Sequence, residues 1–259
     1  MDHVSYTQLA MLLRCGEQYN RRYINKEILA PSGSMVRGRA CHKTEEKNFK
    51  MKIDSHIDIP LEEAKDIFSD QWEQGKYQIV WTPEELGDDS PKKAEAKYKD
   101  TGIGLISVYH TELAPGVKPL KVEEKFIVKF EGGYPNLEGI IDRIDIDFVV
   151  TDMKFQAKSP TADDIAKDIQ MTAYDLGFRQ TFGKKPTKLK KEYSIATKVP
   201  KTMVQEADPR EDETLNRFLY RLEKAMEVIQ KGIFQPAPIG AWWCNPRYCG
   251  YFQSCRYRP

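Results

Sequence analysis

The 259-residue chain contains no apolar run of 18 or more residues, which excludes a membrane-spanning helix. It has almost no net charge: 40 Lys and Arg stand against 39 Asp and Glu, a formal +1. That balance excludes a uniformly basic, histone-like coat, so any groove for a polyanion must be local. Internal repeats and low-complexity tracts are also missing. The opening stretch, with Asp2 and an apolar segment broken by Arg14, lacks the layout of a secretory signal, and a cytoplasmic, reducing location is expected. Cysteines are few, five in all, and in such a compartment they read as ligands or core residues rather than disulfides. What is present is 40% hydrophobic and 31% charged residues, enough for a sizeable core under a charged surface.

Helical spacing marks 5–28, with Ser5 or Thr7 as cap, and about 35–49 beyond the Pro31–Gly33 break. Residues 51–120 are charged and mostly helical, with Leu61, Ala64, Ile67, Phe68 and Trp72 in one stripe and a further helix over 94–113. Strands follow at 121–130, 137–146 and 148–157, the first two separated by the turn cluster Gly132, Gly133, Pro135 and Asn136. They read as an antiparallel meander. A helix is expected over 161–180, capped by Ser159 or Thr161, then a strand at 192–197 and an amphipathic helix at 211–231. The fold class is therefore α/β (α+β): a central mixed sheet with a three-strand meander, flanked by helices.

Carboxylates occupy places where apolar residues belong. In the second strand, Ile140, Asp142, Ile144 and Ile146 share a face; in the third, Phe148, Val150, Asp152 and Lys154 do. An unpaired buried charge is expensive, so a cation should compensate. If 145 pairs with 149 across a three-residue loop, Asp142 lies opposite Asp152 with Cβ atoms ~5 Å apart. Two carboxylates so placed can share a divalent ion, and Lys154 stands beside them. Glu124, by alternation with Val122 and Phe126, is a weaker third carboxylate. Arg143, Asp145 and Asp147 read as ordinary surface charges.

Three cysteines, Cys244, Cys249 and Cys255, fall within twelve residues of the tail. A closed site needs a fourth thiolate, for which Cys15 and Cys41 are available. Arg37, Arg39 and Lys43 flank His42; Lys184, Lys185, Lys188, Lys190 and Lys191 form a basic run; Arg247, Arg256 and Arg258 interleave with Tyr248, Tyr251, Phe252 and Tyr257. Arginines among aromatics suit phosphates and unpaired bases. Solvated faces and packing of the tail are the plainer readings of the same residues.

Gly139-Ile-Ile-Asp142-Arg-Ile-Asp, Asp152-Met-Lys154 and Gln170-Met-Thr-Ala-Tyr174 together resemble the PD-(D/E)XK nuclease superfamily, and more narrowly its RecB-type nuclease domains, phage or bacterial. Ser5-Tyr-Thr7 with Leu9, Cys15-Gly-Glu-Gln-Tyr19 and Gly38-Arg-Ala-Cys-His42 are similar to the N-terminal motifs of that group. The resemblance implies a restriction-endonuclease-like core in one domain over 1–259, with 51–120 as a helical insertion. It implies Mg²⁺ or Mn²⁺ held by His42, Asp142, Asp152 and the backbone carbonyl of Met153, with Lys154 catalytic and Gln170 and Tyr174 lining the site. It further implies an AddB-like or CRISPR-adaptation-like [4Fe–4S] cluster on Cys15, Cys244, Cys249 and Cys255, joining 236–259 to the region of Cys15; four-cysteine Zn²⁺ is the alternative. The spacing of the tail cysteines departs from that subset, as do Cys15-Gly16 in place of Cys-Pro and Phe155 in place of a small hydroxyl residue, a change expected to alter substrate contacts. The expected activity is a DNA nuclease, an exonuclease on ends or single strands in recombination, repair or CRISPR adaptation, with any helicase or recombinase partner on a separate chain. A catalytically silent DNA-binding or assembly subunit is the rival.

Overall fold

The computed structural model describes residues 3–130, 134–162 and 164–259. Of the expected turn cluster, Gly132 and Gly133 lie outside the described residues, as does Asp163. Two compact units emerge, one of 1–29, 127–139 and 210–259, the other of 30–126 and 140–209. Among the described residues no helix is long and apolar enough to cross a membrane.

In the first unit, strand β1 (His3–Val4) pairs in parallel with Asn136 and Leu137. Helix α1 (Tyr6–Arg14) opens with a reciprocal capping box between Ser5 and Gln8, which satisfies two otherwise orphaned amides. The expected continuous helix breaks at Cys15, whose backbone is extended, and resumes as α2 (Gly16–Tyr19) and a π-turn, Asn20–Ile24. Gly16 accounts for the break. Its amide donates to the Gln235 carbonyl at 2.7 Å, and a Cβ there would come 2.7 Å from the Gln235 nitrogen. Proline, with no N–H and extra bulk, has no place at this position.

The second unit begins with a helical layer. Helix α3 (Gly33–Ser55) is capped by Ser32 and runs well past the expected end at 49. It packs with α4 (Leu61–Gly75) and, beyond the short α5 (Pro83–Leu86), with α6 (Pro91–Glu112). Phe49, Ala64, Phe68, Trp72, Leu105, Ile106 and Tyr109 fill its core, where Met153 and Phe155 of the sheet join them. The stripe read from the sequence is thus a buried face at Ala64, Phe68 and Trp72.

Strand β2 (Pro119–Val128) pairs with β3 (Asn136–Asp145), and β3 pairs antiparallel with β4 (Val149–Gln156). Two helices then carry the chain over to a strand parallel to β4. The helix expected over 161–180 is split: α7 (Asp164–Lys167) ends before Asp168, whose carboxylate caps α8 (Ile169–Phe182), displacing the cap expected at Ser159 or Thr161. Gly177 lets α8 approach β2, since a Cβ there would lie 2.3 Å from the Phe126 ring. Strand β5 (Lys188–Ile195) then pairs parallel with β4 and antiparallel with β6 (Lys201–Ala207), a strand unmarked by the sequence pattern. The result is the mixed, helix-flanked sheet expected of a restriction-endonuclease-like core. Helix α9 (Asp212–Gln230) returns to the first unit and buries Leu215, Phe218, Leu222, Ala225 and Met226.

The sheet overturns one electrostatic reading. Arg143 is fully buried and Asp145 nearly so, whereas Asp147 is exposed. The Arg143 guanidinium donates to Asp145 Oδ1 at 2.8 Å and to both oxygens of Glu192 at 2.8 and 2.9 Å, with its carbon 4.8 Å from the Phe49 ring centre. Burial would raise the pKa of Glu192, but the guanidinium beside it holds the carboxyl below its ordinary value. This triad clamps β3 to β5 and to α6 through Tyr109. Removing one member of a buried ion cluster leaves the others uncompensated, so Arg143→Met should cost about 3–5 kcal/mol in urea unfolding, with part recovered in the double variant Arg143→Met/Glu192→Gln.

Candidate active site

The β3–β4 hairpin sets the geometry. Residues 146–148 form its loop, and Phe148 adopts a left-handed φ of 63°, an uncommon conformation for an aromatic residue. Its ring is held by Phe178 and Phe182, at 6.2 and 6.3 Å between centroids. Arg143 faces Thr151 and Ile144 faces Val150. One step beyond these pairs come Asp142 and Asp152, which Gln170 and Tyr174 of α8 join by hydrogen bonds. Cross-strand partners point to the same side of the sheet, and the two acids therefore share it.

A chain of hydrogen bonds links the two carboxylates to α8. Asp152 Oδ1 accepts from Lys154 Nζ at 2.8 Å and from Gln170 Nε2 at 2.7 Å. Gln170 Oε1 accepts from Lys154 Nζ at 3.0 Å, and Gln170 Nε2 also reaches Tyr174 Oη at 2.9 Å. Tyr174 donates to Asp142 Oδ1 at 3.2 Å, while Asp142 Oδ2 accepts the Met153 amide at 2.9 Å. Gln170 and Tyr174 fall on one face of α8 because they are four residues apart. The sheet alternation and the helix period thus converge on one point.

Asp152 is completely buried, yet its Oδ2 has no hydrogen-bond partner among the described residues. Lys191 Nζ stands 3.9 Å from this oxygen and is bound to Asp168. Burial, with the neighbouring charge of Asp142 and against the pull of Lys154, pushes the Asp152 carboxyl up to about 7. An orphaned buried carboxylate oxygen is a position that a cation would satisfy.

His42, on α3, points its Nδ1 at Asp142 Oδ2 from 3.7 Å. Burial lowers its pKa despite Asp142, with Lys154 and Lys43 acting in the same direction as burial, which favours the neutral imidazole that ligates metals. Phe155 sits edge-on to the His42 ring at 5.3 Å and packs into the helical layer beside Tyr109. Phe155 thus supports the histidine from its other side.

Two residues at this site escape a reading of the sequence. Glu123, not Glu124, lines the cavity shared with His42, and Asp142 is close enough for its charge to help raise the Glu123 pKa after burial. Glu123 has a left-handed φ of 55°, which breaks the strand alternation that favoured Glu124. Lys191 belongs to the basic run read as a solvated face; instead it is buried in β5, in register with Asp152. A strand assigned from Lys188, rather than from Glu192, would have found it. Arg37 is likewise buried and stacks over Tyr98 at 5.2 Å, so it leaves the nucleic-acid surface proposed for it. Arg39 and Lys43 remain exposed, and Lys184 stacks on Phe148 at 3.2 Å. Lys185 is exposed in the turn before β5; Arg247 and Tyr248 lie in the other unit, the guanidinium 5.6 Å from the ring centre.

The donor chemistry of Asp142, Asp152 and His42, two carboxylates and an imidazole, fits a hard divalent ion. The side chains stand short of a formed ligand set: among the described residues no group of three or more His, Cys, Asp or Glu is arranged to hold an ion. That includes the cysteines. Cys15, Cys244, Cys249 and Cys255 nevertheless line one small cavity of about 30 Å³ within the first unit, where Gln18 Nε2 meets Cys249 Sγ at 3.2 Å. Burial and then the other three thiols raise the Cys244 pKa. Cys41 is buried in the helical core, and burial raises its thiol well above the ordinary range.

The raised Asp152 pKa carries a stability signature. A carboxyl raised on folding favours the native state at low pH, and this contribution is lost as pH climbs through the folded value of about 7. In EDTA, Asp152→Asn should therefore melt above wild type at pH 8, with the gap closing toward pH 5. A gap independent of pH in calorimetry contradicts the assignment.

Comparison with known proteins accords with this geometry. No curated protein matches the chain. Among solved structures, a candidate exonuclease from Eubacterium rectale superposes with a TM-score of 0.57 at 14% identity, covering 98% of this chain and 88% of that one. At that identity the likeness is one of fold. The protein SSO0001 aligns at 13% identity with a TM-score of 0.45, covering 100% of this chain and 87% of its own. The profile of the PD-(D/E)XK nuclease superfamily matches residues 3–256. With nearly its whole length accounted for by that match, the chain belongs to the PD-(D/E)XK nuclease superfamily.

Proposed function

We propose that the protein is a RecB-like, Mg²⁺- or Mn²⁺-dependent deoxyribonuclease that works as an exonuclease on DNA ends or single strands. The observation that carries the reading is Asp152 Oδ2: fully buried, without a hydrogen bond among the described residues, and linked through Gln170 and Tyr174 to a second carboxylate, Asp142. His42, Asp142, Asp152 and the carbonyl of Met153 would hold the ion. When bound, it supplies Lewis-acid polarisation of the phosphodiester and a water of lowered pKa.

The protein's own groups do the remaining work. Lys154 Nζ, fixed between Asp152 Oδ1 and Gln170 Oε1, presents a cation where negative charge grows as the P–O bond breaks. Gln170 orients both Lys154 and Asp152, and Tyr174 holds Asp142 through its hydroxyl. The Met153 amide fixes Asp142 Oδ2, which lies 3.7 Å from the histidine Nδ1. The products of hydrolysis are a phosphate monoester and a free hydroxyl. A role in recombination, repair or CRISPR adaptation, with an ATP-driven helicase or recombinase as a separate partner, follows the RecB-like reading, and the candidate exonuclease that shares the fold is in keeping with it.

The cysteine cavity supports a second, structural centre in the same protein. Cys15, Cys244, Cys249 and Cys255 would hold a [4Fe–4S] cluster, or Zn²⁺ in its place, and the cation would reverse the upward pressure on the Cys244 thiol.

The decisive assay incubates end-labelled linear DNA and circular DNA with Mg²⁺ or Mn²⁺. Wild type should degrade the linear form, and Lys154→Ala should lose about 10²–10⁴-fold in rate while remaining folded. Equal degradation by wild type, Lys154→Ala and Asp152→Ala refutes the catalytic assignment. For the second centre, protein purified without oxygen should be coloured and contain iron; Cys249→Ser should lose both. Stoichiometric zinc and no colour would select the alternative, and absence of either metal would dismiss it.

A further inference from the structure

Beside His42 and Glu123, a cavity of about 420 Å³ opens between α3 and the end of α4. Its size suits a small organic ligand. The floor is apolar and tightly packed: Val36 and Ala40 are buried, and a Cβ on Gly75 would come 2.8 Å from Val36 Cγ1. The wall is made of three amides, Gln71, Gln74 and Gln78. The first two fall one helical turn apart on α4 and the third follows in the 3₁₀ turn Lys76–Gln78. None of these amides hydrogen-bonds to another described residue. Arg39, exposed and without a carboxylate partner among the described residues, shares the rim with Lys43.

This lining discriminates between ligands. The carboxylate of Glu123 also borders the space and disfavours a phosphate inside it, while Glu46 beside it is paired with Lys43 and Lys50. A flat, neutral group with donors and acceptors on its edge fits: apolar surface beneath, amides at the rim of the plane. Glutamine and asparagine read base edges in this way. At the rim, Arg39 suits the sugar-phosphate backbone outside, Lys43 being paired with Glu46. Because the cavity is lined by His42, which stands 3.7 Å from Asp142, its occupant would be the base next to the phosphodiester being cut.

We infer that this cavity is a pocket for one unstacked nucleobase of single-stranded DNA, adjacent to the scissile phosphate, with Gln71, Gln74 and Gln78 as its recognition groups. The inference rests on the nuclease reading and adds to it a binding site for a single base. A base inside a duplex is stacked and paired, so it reaches the pocket only at a frayed end or on a single strand. The amides are therefore binding and specificity groups, separate from the catalytic carboxylates.

The test uses full-length protein in EDTA, so that no cleavage occurs, and oligonucleotides with one 2-aminopurine between adenines, its position varied. Stacking quenches this base; removal from the stack restores its emission. Among the described residues no Phe, Tyr or Trp lines the pocket, and the His42 ring is packed edge-on against Phe155, so capture there leaves the base bright. A several-fold rise is expected at one position of a bound single strand, retained in Asp152→Ala and lost in Gln71→Leu/Gln74→Leu/Gln78→Leu. Circular dichroism checks the fold of the triple variant, and anisotropy confirms binding. In the Mg²⁺ assay, an abasic residue at that position should slow cleavage of the adjoining bond by wild type but not by the triple variant. DNA that binds without a rise, or an equal rise in the triple variant, overturns the pocket while leaving the nuclease standing. A protein that neither binds nor cleaves DNA overturns both.

Discussion

The structure turns on the placement of acidic side chains against the sheet, where water cannot stabilise them. A buried carboxylate must be neutralised by a partner, by a proton or by an ion. Two such groups, one on each side of the β3–β4 hairpin, resolve this differently. Asp145 and Glu192 are matched by Arg143, whose planar fork meets both. Asp142 and Asp152 are matched only in part. Lys154, Gln170, Tyr174 and the Met153 amide occupy three of their four oxygens, and Asp152 Oδ2 is left over.

That contrast separates a structural ion cluster from a functional one. The Arg143 triad has closed geometry and ties strands to helices. The Asp142–Asp152 pair is held in place by neighbours that stop short of satisfying it, as expected for a site completed by something the chain itself does not contain. In the first unit four cysteines line one small cavity together with Glu17, Gln18 and Arg21, and Gln18 bonds to Cys249.

Positioning of the pair depends on residues with no chemistry of their own. Phe148 tolerates a left-handed backbone because Phe178 and Phe182 hold its ring, and the hairpin register follows from that loop. Gly177 brings α8 close enough to β2 for Gln170 and Tyr174 to reach across to the carboxylates. Phe155 packs against His42 from the opposite side of β4 to Lys154.

Local periodicity and motif spacing were sufficient for much of this. The strand alternation and a three-residue loop place Asp142 opposite Asp152; a spacing of four puts Gln170 and Tyr174 on one helix face; Gly38 and His42 lie one helical turn apart. These are short-range rules of backbone geometry, and a single sequence contains them. Long-range packing decided the rest. Arg143 and Asp145 look like surface charges until Glu192 and Tyr109 arrive from β5 and α6. Lys191 looks solvated until β5 is inserted between β4 and β6, and Glu123 replaces Glu124 because one left-handed residue shifts the alternation. Whether a charge is buried depends on which distant elements cover it, and strand order and local backbone strain settle that only when the whole chain has folded.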